Sequence, residues 1–116
     1  MVSEWSDTTP IYVQLRERVL AQILEGAIRP GEPLPSVRQV AGDLAINPLT
    51  VSKAYQTLAD EGVVEKRRGL GLYVTEGADV QVRERERERF LGEEWPAIVA
   101  RIRRLELTPE RLLRDL

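Results

Sequence analysis

The stretch from Leu34 to Val74 admits few folds, because it carries start and stop signals for two short helices set close together, then a hairpin. Ser36, with Gln39 three residues on, has the spacing of a capping box. Val37, Val40, Ala41 and Leu44 recur at i, i+3, i+4 and i+7, the buried face of a helix that should stop near Ala45. Asn47 offers a second N-cap, and Pro48 suits the first helical position, where a missing N–H costs nothing. This second helix should bury Val51, Ala54, Tyr55 and Leu58. Leu49, Thr50, Ser52, Lys53 and Gln56 are left outward near its N-terminus, with one cation and no carboxylate among them. Gly62 then closes the helix at about the C′ position.

Val63 to Lys66 and Leu72 to Thr75 read as two strands joined by Arg67-Arg68-Gly69-Leu70-Gly71, where the glycines permit positive φ or close approach of another backbone. Two short helices joined by so few residues have helix-turn-helix spacing, with the second free to enter a major groove. A basic hairpin after them is a wing. The alternative is a trihelical core whose hairpin merely happens to be basic; the agreement of helix, cap, turn and wing favours the winged reading.

The flanks are consistent with this. Residues 1–7 read as a loosely held arm in which Trp5 is the one residue worth burying. Thr9 should cap a helix from Pro10 to about Glu25, with Ile11, Leu15, Val19 and Ile23 inward. Gly26 ends it, Ile28 to Gly31 turns the chain, and Glu32 to Leu34 can add a short strand to the wing sheet. Tyr12 and Gln14 are contact residues or, as favoured here, core and surface filler. Beyond Val74, Arg83 to Arg89 alternates arginine and glutamate and reads as an exposed helix, solvated or lent to DNA-backbone contact or subunit pairing. Leu91, Trp95, Ile98, Ile102 and Leu105 follow at spacings of 4, 3, 4 and 3, an apolar seam suited to pairing with a twin. Pro96 should kink or briefly break that helix between Gly92 and Pro96. Thr108 and Pro109 open a last helix carrying Leu112, Leu113 and Leu116.

The expected architecture is mainly α with a small β-hairpin wing. Residues 1–76 form a winged helix-turn-helix DNA-binding domain, and residues 77–116 a short helical dimerisation region. The 116 residues hold no cysteine and no histidine, so no disulfide, metal site or cofactor is expected, and an enzyme is not. The sequence has no long apolar run and no secretory leader pattern, which implies no membrane partner and a cytoplasmic location. The net charge of −2, from 17 basic and 19 acidic residues, is unusual for a nucleic-acid binder. Any basic surplus is local: Lys66, Arg67 and Arg68 cluster at the wing, and modest non-specific affinity for DNA should follow. Winged helices also bind proteins, and the near-neutral charge keeps a protein-interaction module as the competing class.

Pro10-Ile11-Tyr12, Gln14-Leu15, Pro30-Gly31 and Leu34-Pro35-Ser36-Val37-Arg38, with Asn47-Pro48, Thr50-Val51, Ala54-Tyr55, Glu61-Gly62 and Arg68-Gly69-Leu70-Gly71, resemble the winged-helix domain of GntR-family bacterial transcription regulators. The resemblance covers roughly residues 8–76, and the short tail is similar to the YtrA-type subfamily. It implies a homodimer on double-stranded DNA, paired through the C-terminal helices, typically an autoregulatory repressor beside transporter genes. It places Arg38 on a phosphate, although Arg38 can also be read as a helix-end ion-pair residue. It places Asn47, Thr50, Ser52 and Lys53 on the recognition face, and Arg67, Arg68 and Gly69 at the wing, with Arg68 and Gly69 at the minor groove. Some relatives have arginine where this chain has Pro48 and Ser52, so a bidentate arginine on guanine is not expected at those positions. Glu106 stands where glycine is common in relatives.

Overall fold

The computed structural model describes residues 5–116, and the first four residues of the expected N-terminal arm lie outside them. The described elements are α1 (Ile11–Leu24), α2 (Val37–Leu44), α3 (Pro48–Asp60), β1 (Val64–Arg67), β2 (Gly71–Val74), α4 (Ala78–Arg89), a π-helical turn (Phe90–Glu94), α5 (Trp95–Arg104) and α6 (Pro109–Leu112), which runs into a 3-10 turn (Leu113–Asp115). Among the described residues, those from Trp5 to Val82 form one compact unit and Arg83–Leu116 a second.

In the first unit α3 is the central helix, packed against both α1 and α2. Val51, Ala54, Tyr55 and Leu58, the four residues expected inside, are all buried. α1 contributes Leu15, Val19, Leu20 and Ile23 to the same core. Ile11, expected on that inner face, is instead 37% exposed: it lies at the first helical position, beyond the end of the packed interface. Thr9 does not cap α1, since Pro10 occupies the N-cap position. Gln14 is the residue that organises this end. Its amide accepts from Ser6 N–H at 2.8 Å and donates to the Ser6 carbonyl at 2.8 Å and the Thr9 carbonyl at 2.6 Å. The Arg18 guanidinium lies 3.9 Å from the centre of the half-buried Trp5 ring, so the described part of the arm is fastened to α1 rather than loose. Between Gln14 and Arg18 on the same helix, Arg16 grips Glu61 with a fork of contacts, Nε to both carboxylate oxygens at 2.9 and 3.0 Å and a second nitrogen at 2.8 Å.

The caps between α2 and α3 form as read. Ser36 Oγ accepts from Gln39 N–H at 3.1 Å, Asn47 Oδ1 accepts from Leu49 N–H at 2.8 Å, and Pro48 opens α3. Ala45 ends α2 in the left-handed region at φ 54. Of the α2 face only Ala41 is fully buried; Val37, Val40 and Leu44 are half-buried, as suits a short helix lying on the outside of the core.

The wing strands are offset by one residue from their expected places and pair antiparallel, Val64 with Val74 through Arg67 with Gly71. Glu32 to Leu34 joins them by a single bridge, Pro33 with Tyr73, although Leu34 N–H to Leu72 O and Val74 N–H to Glu32 O continue the pairing beside it. Proline at the middle position removes a donor and confines the segment to the sheet edge. Ala78 and Val82 of α4 are buried in the same core as Val63, Val64 and Val74.

The second unit is helical. Arg89 and Glu93 pair at 3.4 Å, and Arg87 and Glu84 at 3.9 Å, along its exposed charged stretch. Around Pro96 the helix is disturbed, as expected, but it does not break. It takes a π turn over Phe90–Glu94, closed by Trp95 N–H to the Phe90 carbonyl. The wider turn accommodates the missing N–H and the ring of Pro96 without ending the helix. Leu91, Trp95 and Leu105 are exposed, as is Ile98, while Ile102 is half-buried. Phe90 belongs with them, its ring 6.1 Å from that of Trp95. Thr108 Oγ1 accepts from Arg111 N–H at 3.3 Å and caps α6. Glu106 turns the chain at φ 54, a conformation that glycine adopts without penalty.

Candidate nucleic-acid interface

The outward face of α3 is built by its N-terminal signals. Asn47 and Pro48 fix where the helix starts, and the buried Val51, Ala54, Tyr55 and Leu58 fix its rotation. Pro48, Leu49, Ser52, Lys53 and Gln56 are thereby left exposed, with Thr50 half-buried beside them. Tyr55 locks α3 against the approach to α2: its hydroxyl donates to the Pro35 carbonyl at 2.8 Å, and burial pushes its pKa up to about 12, so the phenol stays a donor.

Of the residues singled out from sequence, Asn47, Thr50, Ser52 and Lys53 stand together along the first two turns of α3. Asn47 has its side-chain oxygen engaged in the cap, and its NH₂ group supplies donors for a ligand. Lys53 is directed by a partner that sequence spacing did not reveal. Its ammonium sits 4.2 Å from the centre of the Tyr12 ring on α1, which makes Tyr12 a support for this face rather than filler. Gln56 Nε2 donates to Asp60 Oδ1 at 2.9 Å, holding that carboxylate at the far end of the helix.

Arg38 is exposed in the first turn of α2, where the helix dipole favours an anion and the sequence supplies no carboxylate. On the wing, a three-residue loop, Arg68 to Leu70, joins the strands, with Leu70 N–H bonded to the Arg67 carbonyl at 2.9 Å. Gly69 at its tip has φ +75, so the turn needs a residue free of a Cβ penalty. Arg68 and Lys66 are exposed, and the Arg67 guanidinium lies 4.3 Å over the Tyr73 ring. The first unit therefore carries a helix face free of carboxylates from Pro48 to Gln56, a second helix start with an arginine, and a basic loop tip. Such a set can meet phosphates and base edges but offers no nucleophile–base pair for covalent chemistry. Among the described residues no group of three or more acidic side chains gathers as a metal site, and no helix is long and apolar enough to cross a membrane.

Comparison with known proteins agrees with this geometry. The pattern described as bacterial regulatory proteins, gntR family, matches residues 11–74, which runs from α1 through the wing. The chain is 46% identical over 71 residues to the HTH-type transcriptional repressor YtrA of Bacillus subtilis, covering 61% of this chain and 55% of YtrA. It is 29% identical over 113 residues to the HTH-type transcriptional regulator YhcF of the same organism, covering 97% and 92% of the two chains. A GntR family transcriptional regulator from Listeria monocytogenes superposes with a TM-score of 0.76 at 25% identity over 94% of both chains, so the likeness extends through the C-terminal helices. With more than half of its length matched by the family pattern, and a winged helix followed by a short helical tail of the YtrA type, the chain belongs to the gntR family of bacterial regulatory proteins, DNA-binding transcription regulators rather than enzymes.

Proposed function

We propose that the protein is a homodimeric repressor that binds an inverted-repeat operator in double-stranded DNA. The observation that carries this reading is the carboxylate-free N-terminal part of the α3 face, Pro48 to Gln56, set by the helix's cap and carried on the same compact unit as Arg38 and the Arg68–Gly69 loop tip. In this reading α3 enters the major groove, Lys53 and Thr50 meet base edges with Ser52 and the Asn47 amide beside them, and Arg38 holds a phosphate. Arg67, Arg68 and Gly69 lie along the adjacent minor groove. Residues 1–76 bind DNA, and of residues 77–116, whose Ala78 and Val82 pack into the first unit, the part beyond Val82 pairs two chains, as supported by the exposed row of Leu91, Trp95, Ile98 and Leu105 with Ile102 among them. A two-fold axis relating the chains demands half-sites of opposite orientation, spaced about one helical turn apart. Repression is supported by the name of the matched YtrA, and a cytoplasmic location by the DNA partner.

Genomic fragments retained by the purified protein, once sequenced, test the proposal. Enrichment of a shared inverted repeat near promoters supports it. Retention of fragments without any shared sequence contradicts it.

A further inference from the structure

Leu49 is the large hydrophobic side chain that α3 turns outward. It is 75% exposed, whereas Val51, Ala54, Tyr55 and Leu58 of the same helix are buried. It lies in the first turn, one residue from Thr50 and one helical turn before Lys53, on the part of a recognition helix that approaches base edges. Its surroundings form a shallow apolar ledge: Pro10, Ile11 and Tyr12 from the start of α1 meet Leu49, Thr50 and Lys53 there. The 37% exposure of Ile11, which leaves it outside the core, and the Tyr12 ring beneath the Lys53 ammonium belong to the same ledge. Pro48 and Ser52, its neighbours on the helix, bring no guanidinium to compete for the groove.

Leu49 adds nothing to the core, and its place in the first turn of α3, beside Thr50 and Lys53, sets it against whatever that face meets. The major-groove edge of B-DNA displays one apolar group, the 5-methyl of thymine, and an aliphatic side chain recognises it by contact. We infer that Leu49 reads a thymine 5-methyl group in each half-site, with Ile11 and the edge of the Tyr12 ring closing the ledge behind it. The inference rests on the reading of α3 as the helix that enters the groove, and it makes an A·T pair at a fixed place in each half-site part of the specificity.

Deoxyuridine differs from thymidine by this methyl group alone and keeps the same pairing and hydrogen-bonding edge. The experiment selects duplexes from a random-sequence pool with the full-length protein, then replaces each thymine of the selected site in turn by deoxyuridine. Affinities of wild-type protein and Leu49→Ala are measured on every duplex by fluorescence anisotropy. Wild type should lose about fourfold per half-site at one symmetry-related thymine pair, the effect of one methyl group withdrawn from an apolar contact. Leu49→Ala, whose side chain supports nothing in the core and whose circular dichroism should match wild type, should bind thymine and uracil duplexes alike at that position. If no thymine is sensitive, or if the sensitivity persists in Leu49→Ala, the inference is overturned while DNA binding by the protein stands. If the pool yields no selected sequence, sequence reading by α3 fails and the inference with it.

Discussion

Tyr55 couples the core to the geometry of the binding face, and its removal has a magnitude that can be worked out. The residue is 4% exposed, and its hydroxyl donates to the Pro35 carbonyl at 2.8 Å, between the buried side of α3 and the residue preceding the cap of α2. Tyr55→Phe keeps the ring and leaves that carbonyl without its donor, which costs about 1–2 kcal/mol at neutral pH. Burial raises the phenol from 10.0 to about 12, so between those values the folded chain holds a proton that the unfolded chain has released. The contribution is therefore fully present below pH 10 and is lost as pH rises through about 12, up to about 3 kcal/mol in all. Urea unfolding followed by circular dichroism, for wild type and Tyr55→Phe from neutral pH to about pH 11.5, separates this group from the lysines and the other tyrosines, which both proteins share. Wild type should be the more stable at pH 7. Its advantage should shrink from pH 10 and be erased by about pH 11.5, where about 2 kcal/mol has gone. A gap that stays constant across that range would refute the reasoning.

Three further outcomes follow from the structure. Arg38→Ala should weaken binding to every duplex alike and lower the salt slope by about one, whereas Lys53→Ala should cost about 1–3 kcal/mol on the operator and less on random DNA; titrations of both at several salt concentrations check this. Ile98→Asp with Ile102→Asp should give monomers whose winged-helix domain remains folded, and sedimentation still showing a full dimer would place the interface elsewhere. Glu106→Gly should raise stability by about 0.5–1 kcal/mol in thermal or urea unfolding, since the turn already holds φ 54.

What the sequence made legible was what short-range chemistry decides. The Ser36 and Asn47 caps, the proline after Asn47 and the four-residue apolar face of α3 each act within one or two turns, and all appear where their spacing puts them. Contacts between elements distant in the chain were not legible. Nothing near Lys53 announces Tyr12, and nothing near Gln14 announces that its amide will bracket Ser6, because both depend on how α1 lies against its neighbours. Ile11 illustrates the same limit: its spacing fits the inner face of α1, but the packed surface ends before reaching it. At Pro96 the sequence identified the disturbed place, while the form the disturbance takes, a π turn that carries the helix on, depended on backbone geometry that a residue pattern does not encode. For the binding face, the exposed cations could be picked from the sequence, but the aromatic rings under Lys53 and Arg67 could not.

The central claim is that the face of α3 distinguishes one DNA sequence from others, and a competition measurement addresses it most directly. The full-length protein is titrated onto a labelled duplex carrying the recovered inverted repeat, and onto a scrambled duplex of the same length and composition, at physiological salt. Two chains should bind each operator duplex, about a thousandfold or more tightly than the scrambled one. Equal affinity for the two duplexes would mean that the protein grips phosphates without reading bases, and would contradict the account.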